Sequence, residues 1–392
     1  MFTKKIFFVL WCITQQLWSS SAEWTILLIM QGDNNLSFFM QQNIALLKKI
    51  GSSKDVNILV QWDEPFKHTT WRYKIGYNRL LDNASLAQDM GTNPEAELID
   101  AARWAFTKYP AKKQALIFWN HGSGILDEER DWNSYRGILY DFSSGKCLTN
   151  ASLLRGLQVI QQEVLIGKKF DLIGMDACLM AMLEIGYQIK EFTDLFVASE
   201  NIEHAPGWHY SAIFKQLIKS PRTYNAVPFA HLIVRSFYEF HHPHNNIYTQ
   251  SIMDLTTISN LKENVAQLAA ISLSSKQKDL YDCIVQARKC CTEFDKGHFI
   301  DLYDFYHLLL KELTKKKHIP IELQKTLKST LENGLRLIKK TIIGYTKGNA
   351  YKNSQGLSIY FPRTKKLHPS YHETLFAKET LWAIFIDHFK TT

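Results

Sequence analysis

The chain has 392 residues, of which 46% are hydrophobic and 13% aromatic, so it can bury one large core or two of ordinary size. Its net charge of +8 is spread widely. The densest basic stretch, KELTKKKHIP, lacks the interleaved aromatic residues of a nucleic-acid surface and is interpreted as a solvated helix end. We therefore expect a globular protein without a nucleic-acid partner.

The first 22 residues have the pattern of an export signal. Lys4 and Lys5 precede the apolar run IFFVLWCI, and small residues follow in SSSAEW, which places the predicted cleavage after Ala22. The apolar run is too short to span a bilayer. The alternative is a buried N-terminal helix. We predict a signal peptide over residues 1–22 and an exported protein, secreted or periplasmic, without stable membrane insertion.

Short apolar runs then alternate with helical patterns. Continuous apolar runs are typical of strands buried on both faces of a parallel sheet, with helices packed on both sides. The sequence predicts an α/β fold of this kind. Its predicted strands are residues 24–30, 56–62, 114–120, 170–175 and 195–199, and helical stretches at 95–108 and 152–165 lie between them.

The later part of the chain is less regular. Residues 246–255 are predicted as a further strand, a helical region follows to about Lys340, and residues 356–362 are predicted as a final strand that completes the sheet. We therefore divide the mature chain into an α/β domain, 23–260, and a helical C-terminal subdomain, 261–392.

Polar side chains that can take part in catalysis or binding follow the predicted strands. In open α/β sheets, ligands bind beyond the carboxyl ends of the strands. The residues that occupy such positions in this chain are Asp33, Asp63, His121, Asp176, Cys178 and Glu200.

The stretch FDLIGMDACLMAML places an acid and a thiol at the end of a strand. Asp176 and Cys178 are two residues apart, so they point the same way from an extended segment. A helix predicted to begin near Leu179 directs its free N–H groups at the sulfur and favours the thiolate. The alternative is a helix cap, Asp176, beside a core cysteine. Of the five cysteines beyond the signal, an odd number, at least one thiol stays unpaired within the chain.

The stretch FWNHGSG supplies a base for this cysteine. His121 follows a predicted strand, and Gly122 and Gly124 let its loop turn and approach a substrate. On its own, His121 is also consistent with a histidine in a glycine-rich surface turn. Adjacent parallel strands bring it within reach of Cys178, which favours a catalytic pair.

These residues resemble a known family. ALIFWNHGSG followed by FDLIGMDACLMAMLEI is similar to the clostripain family of cysteine peptidases, in the clan that includes caspases, gingipains, legumain and separase. Further stretches that carry the resemblance are MQGDNNL, VASENIEHAPGWHY, FIDLYDFYHLL and GLSIYFP.

The resemblance implies a caspase-like fold and a Cys-His dyad that cleaves peptide bonds. It makes Cys178 the nucleophile, His121 the proton donor to the leaving amine, and the Gly122 and Cys178 N–H groups the oxyanion hole. Asp176 is then the carboxylate of the S1 pocket, which suits protein or peptide substrates with Arg or Lys at P1. Glu200 and Glu203 are secondary S1 candidates.

Family members can mature by internal cleavage between the histidine and the cysteine. The long loop after His121 contains Arg130, Arg136 and Lys146, and we predict self-processing after one of them.

The resemblance implies no cofactor for the chemistry, although calcium dependence occurs in the family. The acidic stretch DEERD, Asp127 to Asp131, offers oxygen ligands but lacks the glycine and spacing of an EF-hand, so we interpret it as a solvated loop. HHPHNN, His241 to Asn246, is interpreted as a polar loop rather than a metal site.

Two other functions remain open at this stage. One is a catalytically inactive, caspase-like protein that binds peptides. The other is a thiol acyl or amide transferase. Intact His121 and Cys178 favour catalysis over the first, and an acid beside the nucleophile favours basic peptides over neutral acyl groups.

Overall fold

The computed structural model describes residues 21–65, 69–86, 89–127, 137–363 and 366–389. The strands are β1 (Ala22–Gln31), β2 (Val56–Glu64), β3 (Thr69–Gly76), β4 (Arg79–Leu86), β5 (Ala111–Trp119), β6 (Leu172–Asp176), β7 (Leu195–Ala198), β8 (Thr249–Asp254), β9 (Glu293–Phe294), β10 (Phe299–Asp301), β11 (Ile342–Lys347) and β12 (Ser358–Tyr360).

The α-helices are α1 (Ser37–Lys48), α2 (Pro94–Lys108), α3 (Asn150–Val159), α4 (Leu183–Ile189), α5 (Tyr210–Lys219), α6 (Ala226–His241), α7 (Ile258–Ser274), α8 (Lys278–Cys290), α9 (Leu302–Lys315), α10 (Ile321–Thr341), α11 (Leu375–Glu379) and α12 (Trp382–His388). A π-helical turn, Ile160–Val164, extends α3. Local caps fix some of the starts, as in α2, where the Asn93 side chain accepts from the Ala96 N–H and proline occupies the first position.

A nine-stranded sheet forms the centre of the molecule in the order β11-β8-β7-β6-β5-β1-β2-β3-β4. The five central strands, β7, β6, β5, β1 and β2, are parallel, and antiparallel strands extend both edges. The predicted α/β fold is confirmed. The central strands read as continuous apolar runs because helices cover both of their faces.

Alternate residues of β1 enter two separate cores. Leu27 and Ile29 pack on one face with α2, α3, α4 and the C-terminal helices. Ile26 and Leu28 pack on the other face with α1, α5 and α6. The period of two in a strand thus divides one apolar run between both layers of helices.

The strand predicted at 356–362 does not complete the main sheet. β12 pairs with β10 in a separate three-stranded sheet, β12-β10-β9, and the main sheet ends instead with β11, which pairs with β8. The hairpin β3-β4 was also absent from the prediction. Its strands mix polar and apolar residues because they lie at an edge of the sheet.

The predicted signal peptide lies almost entirely outside the described residues. Residues 1–20 of the predicted signal lie outside the described residues, and Ala22 is the first residue of β1. Among the helices that the structure describes, none combines the length and hydrophobicity needed to cross a membrane. Cys178, Cys283, Cys290 and Cys291 are free thiols.

Candidate active site

His121 and Cys178 follow adjacent strands of the main sheet. Trp119 of β5 pairs with Asp176 of β6 in the parallel register. His121 lies two residues after Trp119, and Cys178 lies two residues after Asp176. Both side chains line one cavity of about 140 Å³, together with Asp176, Glu203 and Asn120. The carboxyl ends of β5 and β6 therefore bring a thiol, an imidazole and the Asp176 carboxyl together, and the segment after β7 adds the Glu203 carboxyl.

The predicted helix start near Leu179 is wrong. Leu179 has a φ of +67°, and α4 begins only at Leu183. The residues between them continue beside the next strand, where the Leu179 N–H donates to the Asn201 carbonyl (3.1 Å) and the Ala181 N–H to the Ser199 carbonyl (2.8 Å). No helix start is therefore directed at the sulfur of Cys178, and the predicted support for a thiolate from α4 is absent.

The thiol and the imidazole are both neutral in this arrangement at pH 7. Burial raises the pKa of Cys178 to about 11, and the Glu203 N–H donates to its Sγ (3.2 Å). Burial lowers the pKa of His121 to about 4, and its Nε2 is hydrogen-bonded to Asn35 Oδ1 (2.7 Å). The pair is thus a thiol and an imidazole rather than a thiolate and an imidazolium.

Gly122 lies tightly against the nucleophile loop. A Cβ at this position would lie 2.4 Å from the Cys178 carbonyl oxygen and 3.0 Å from the Ala177 Cβ. A glycine is therefore required for β5 and β6 to end this close together. The oxyanion role of the Gly122 and Cys178 N–H groups stays a prediction.

Asp176 is buried in the wall of the cavity. Its Oδ2 accepts from the Trp208 N–H (2.9 Å) and the Tyr210 hydroxyl (2.7 Å). Gly207, at a φ of +66°, allows this approach, since a Cβ there would lie 2.6 Å from both carboxylate oxygens. The alternative role as a cap of the following helix is excluded, because that helix begins after Met182 without a side-chain cap.

Of the two other predicted acids, Glu203 lies in the cavity and Glu200 does not. Glu203 lines the cavity beside Asp176, and burial followed by the Asp176 charge raises its pKa well above the usual range. Burial also raises the pKa of Asp176, to about 6, although its hydrogen bonds oppose the rise. Burial therefore disfavours the presence of two negative charges on this pair.

Glu200 faces away from this cavity. Its Oε2 accepts from the Ser354 hydroxyl and from the Gly356 N–H (3.0 Å), and its pKa is raised well above the usual range by burial and then by Asp301. Glu200 is not among the residues that line the cavity, so it does not take the predicted S1 position.

The remaining predicted residues lie elsewhere. Arg130, Arg136 and most of DEERD lie outside the described residues, while Asp127 accepts from the Asn150 backbone and side chain (2.9 Å each). Lys146 is exposed, and its Nζ donates to the Thr92 carbonyl (2.9 Å). In HHPHNN, the buried His241 donates from Nε2 to the Gly207 carbonyl (3.0 Å) and belongs to no cluster of metal-binding side chains among the described residues.

Sequence reasoning missed four residues of the site: Asn35, Gly207, Trp208 and Tyr210. All four lie in stretches that carried the family resemblance, MQGDNNL and VASENIEHAPGWHY. These residues contact His121 and Asp176 from distant segments of the chain. Hydrophobic periodicity and motif spacing do not predict such contacts.

Comparisons with known proteins identify the family of the chain. Residues 28–389 match the clostripain family. Clostripain of Hathewaya histolytica is 23% identical over 406 aligned positions, which cover 89% of this chain and 76% of the relative.

Two solved structures share the fold. One is a secreted C11 cysteine protease of Bacteroides thetaiotaomicron, solved with an irreversible peptide inhibitor. Its TM-score is 0.67 at 17% identity, and the alignment covers 94% of this chain and 99% of that protease chain. An inactive zymogen C11 protease of Parabacteroides distasonis has a TM-score of 0.63 at 18% identity, with 92% and 99% covered. With the family match over most of its length, the chain belongs to the clostripain family of cysteine peptidases.

Proposed function

We propose that this peptidase cleaves peptide bonds after Arg or Lys, with Cys178 as nucleophile and His121 as the proton-transfer residue. The observation that carries the proposal is a single cavity lined by the thiol, the imidazole and the carboxyls of Asp176 and Glu203. A protein or peptide substrate would place its scissile carbonyl at Cys178 and its basic side chain toward the acids.

The neutral dyad supports attack with concerted proton transfer. As the Sγ–C bond forms, the thiol proton passes to the His121 imidazole, and the carbonyl oxygen becomes an oxyanion that the Gly122 and Cys178 N–H groups stabilise. The imidazolium then protonates the leaving amine as the C–N bond breaks. Water, deprotonated by His121, hydrolyses the acyl-enzyme and restores the thiol.

The acid pair supports specificity for one positive charge. Because burial disfavours two charges on the pair, we infer that the carboxyls of Asp176 and Glu203 hold one proton between them and a net charge of −1 at neutral pH. A guanidinium or ammonium group at P1 would neutralise this charge, whereas a neutral side chain would leave a buried anion without a counter-ion. Trp208 and Tyr210 hold the anion by two hydrogen bonds, so it is oriented before the substrate arrives.

The position of the Glu203 backbone indicates that the site must open for catalysis. Its N–H donates to the sulfur, and the Cys178 thiol faces its carbonyl oxygen at 3.8 Å. A scissile peptide that reaches Sγ must replace these contacts. We infer that the segment containing Glu203 moves outward when a substrate binds.

Self-processing and export are part of the same proposal. Cleavage after Arg130, Arg136 or Lys146 would separate the chain between His121 and Cys178. Of these, Lys146 lies in a turn in which its carbonyl accepts from the Asp141 N–H (2.9 Å), so that turn must unfold before cleavage. Export rests on the N-terminal pattern of the sequence and on a structural relative described as secreted.

The test is covalent labelling with peptidyl acyloxymethyl ketones that carry Lys, Arg or Ala at P1. Intact-mass spectrometry should show one adduct on the wild type with the basic probes, and none on Cys178→Ala. Cys290→Ala removes another accessible thiol and should label normally. Equal labelling by the Ala probe would contradict the specificity, and an absence of labelling by every probe would favour an inactive peptide-binding protein.

A further inference from the structure

Glu203 contacts both parts of the site through different atoms. Its backbone covers the nucleophile, because its N–H donates to Cys178 Sγ (3.2 Å) and its carbonyl oxygen faces the thiol at 3.8 Å. Its side chain lines the cavity, where the carboxyl is hydrogen-bonded to the carboxyl of Asp176. A movement of this one residue therefore changes both the access to the sulfur and the arrangement of the two acids.

The Asp176 carboxyl is fixed in the sheet. Asp176 is the last residue of β6, and its side chain accepts from the Trp208 N–H (2.9 Å) and from the Tyr210 hydroxyl (2.7 Å). A ligand that separates the two carboxyls therefore leaves Asp176 in place and moves Glu203.

The segment that contains Glu203 is attached less firmly. Residues 202–206 are all partly or fully exposed. Gln250 of β8, with its amide nitrogen toward Glu203, donates to Oε1 (2.8 Å), and Asn43 Nδ2 donates to the Pro206 carbonyl at 3.3 Å. Single hydrogen bonds of this kind stabilise a segment only modestly, so a charged ligand can displace it.

The cavity is too small for a substrate while Glu203 occupies this position. Its volume is about 140 Å³, whereas pockets that bind ligands commonly measure roughly 300–1,000 Å³. A basic P1 side chain and the scissile peptide therefore need additional room. An outward movement of Glu203 supplies it, because this residue both lines the cavity and covers the sulfur.

A positive charge supplies the driving force for this movement. A guanidinium group forms charge-assisted hydrogen bonds with carboxylates and favours the ionised form of each. The hydrogen bond between Asp176 and Glu203 needs a proton between the two groups, so it is lost when both ionise and bind the cation. Because Asp176 is fixed, Glu203 shifts, and its backbone moves with it.

We propose that Glu203 couples the two parts of the site: a basic P1 side chain that binds Asp176 and Glu203 displaces the Glu203 backbone from Cys178 and uncovers the thiol. Glu203 is then a positioning residue as well as a substrate contact. A substrate without a basic P1 side chain leaves the sulfur covered, so specificity acts on access to the nucleophile as well as on binding. This coupling rests on the basic specificity proposed above.

The test measures the rate at which iodoacetamide alkylates Cys178 in the full chain, by intact mass and peptide mapping. Cys290→Ala removes an exposed thiol, and the same variant with Cys178→Ala gives the rate at other sites. Ethylguanidine serves as the basic side chain, and ethylurea is its uncharged analogue of similar shape. Saturating ethylguanidine should accelerate the alkylation of Cys178 by about fivefold or more, because it frees the sulfur from its backbone contacts, and ethylurea should not.

Two truncations in the same segment separate this coupling from the effect of charge alone. Glu203→Ala leaves Asp176 to bind ethylguanidine but removes the connection between the cation and the covering backbone, so most of the acceleration should be lost. Ile202→Ala shortens an uncharged side chain that lines the same cavity and should keep the acceleration. Melting temperatures show whether both variants are folded.

Inhibition of Lys-peptide hydrolysis by ethylguanidine distinguishes a failure of the coupling from a failure of the proposed specificity. Competitive inhibition without faster alkylation would overturn the coupling and leave the basic specificity intact, whereas neither inhibition nor acceleration would overturn both. Acceleration that persists in Glu203→Ala would assign the effect to the charge of the ligand acting on the thiol. Equal acceleration by ethylurea would contradict the role of positive charge.

Discussion

The segment that follows β7 contributes one acid to each of two carboxyl pairs. Glu203 pairs with Asp176 beside Cys178, and Glu200 pairs with Asp301 beneath the C-terminal strand β12. Burial raises the pKa of Asp176 and of Asp301 alike, each to about 6. Chemically the pairs are nearly the same.

Their surroundings differ. Glu203 and Asp176 line the cavity that contains the thiol. Around the other pair, Ser354, Gln355 and Gly356 donate to the carboxyls, which join the C-terminal segment to the sheet. A perturbed pKa therefore identifies a buried acid, while access to a reactive group distinguishes a binding site from a structural contact.

The largest loss of activity should come from substitution of Cys178 or His121, the reactive groups that lie beside the Asp176–Glu203 pair but not beside the Glu200–Asp301 pair. Cys178→Ala and His121→Ala should each lower kcat for a Lys or Arg peptide by about 10³-fold or more, and the double variant should be little worse. Steady-state hydrolysis of a fluorogenic peptide measures this. Cys290→Ala is the control, and substantial activity in Cys178→Ala would show that another residue is the nucleophile.

A second effect follows from the charge of Asp176. Its pKa of about 6 means that the carboxyl is ionised above pH 6 and gains a proton as the pH falls through that value. The ratio of kcat/KM for Arg over Ala at P1 should fall about tenfold between pH 7.5 and pH 5.

His121 does not account for this change. Its pKa of about 4 lies below the measured range, and its protonation would affect both substrates alike. A ratio that stays constant over the range would show that the ionisation of Asp176 does not control P1 selection.

A smaller effect is expected at Asn35. Asn35→Ala removes the hydrogen bond to His121 Nε2 and should lower kcat by roughly fivefold to tenfold, with little change in KM. Progress curves at saturating and low substrate separate the two constants. Asn35→Asp keeps the acceptor and should restore most of kcat, whereas an equal loss in both variants would indicate a purely structural role for the residue.

The smallest effect should come from the second acid pair. Glu200→Gln keeps an oxygen that accepts from Ser354 and Gly356 and supplies an NH₂ donor for Asp301. We expect a change in unfolding free energy of about 1 kcal/mol or less and an unchanged P1 ratio. Thermal unfolding and the two-substrate assay measure these. A change in the ratio would remove the distinction between the pairs.

The central sheet and the placement of His121 and Cys178 were predictable because buried parallel strands are long apolar runs, and their ends meet at one edge. The start of α4 was not. Leu179 to Met182 are apolar and fit a helical pattern, but their backbone pairs with residues 199–201 and Ser358 instead. Such contacts between distant segments override local propensity.

The same reason explains the errors among the acids. Glu200 and Glu203 lie in one irregular segment, and which of them faces Asp176 depends on its path over β8 and β12. Likewise, Asp33 was predicted after a strand end, but the Asp89 and Asp141 carboxylates, which lie within 4.8 Å of its own, come from connections whose positions the sequence pattern does not specify.

The most direct test of basic specificity at this cavity is the P1 selectivity of Asp176→Asn, set against Asp301→Asn as the matched change in the other pair. Removing one partner of a desolvated charge pair costs about 2–5 kcal/mol, so Asp176→Asn should lower kcat/KM for Arg roughly thirtyfold or more, and far less for Ala. Asp301→Asn should leave the ratio unchanged. An Arg-to-Ala ratio that falls equally in both variants, or in neither, would contradict the assignment of Asp176 as the S1 carboxylate.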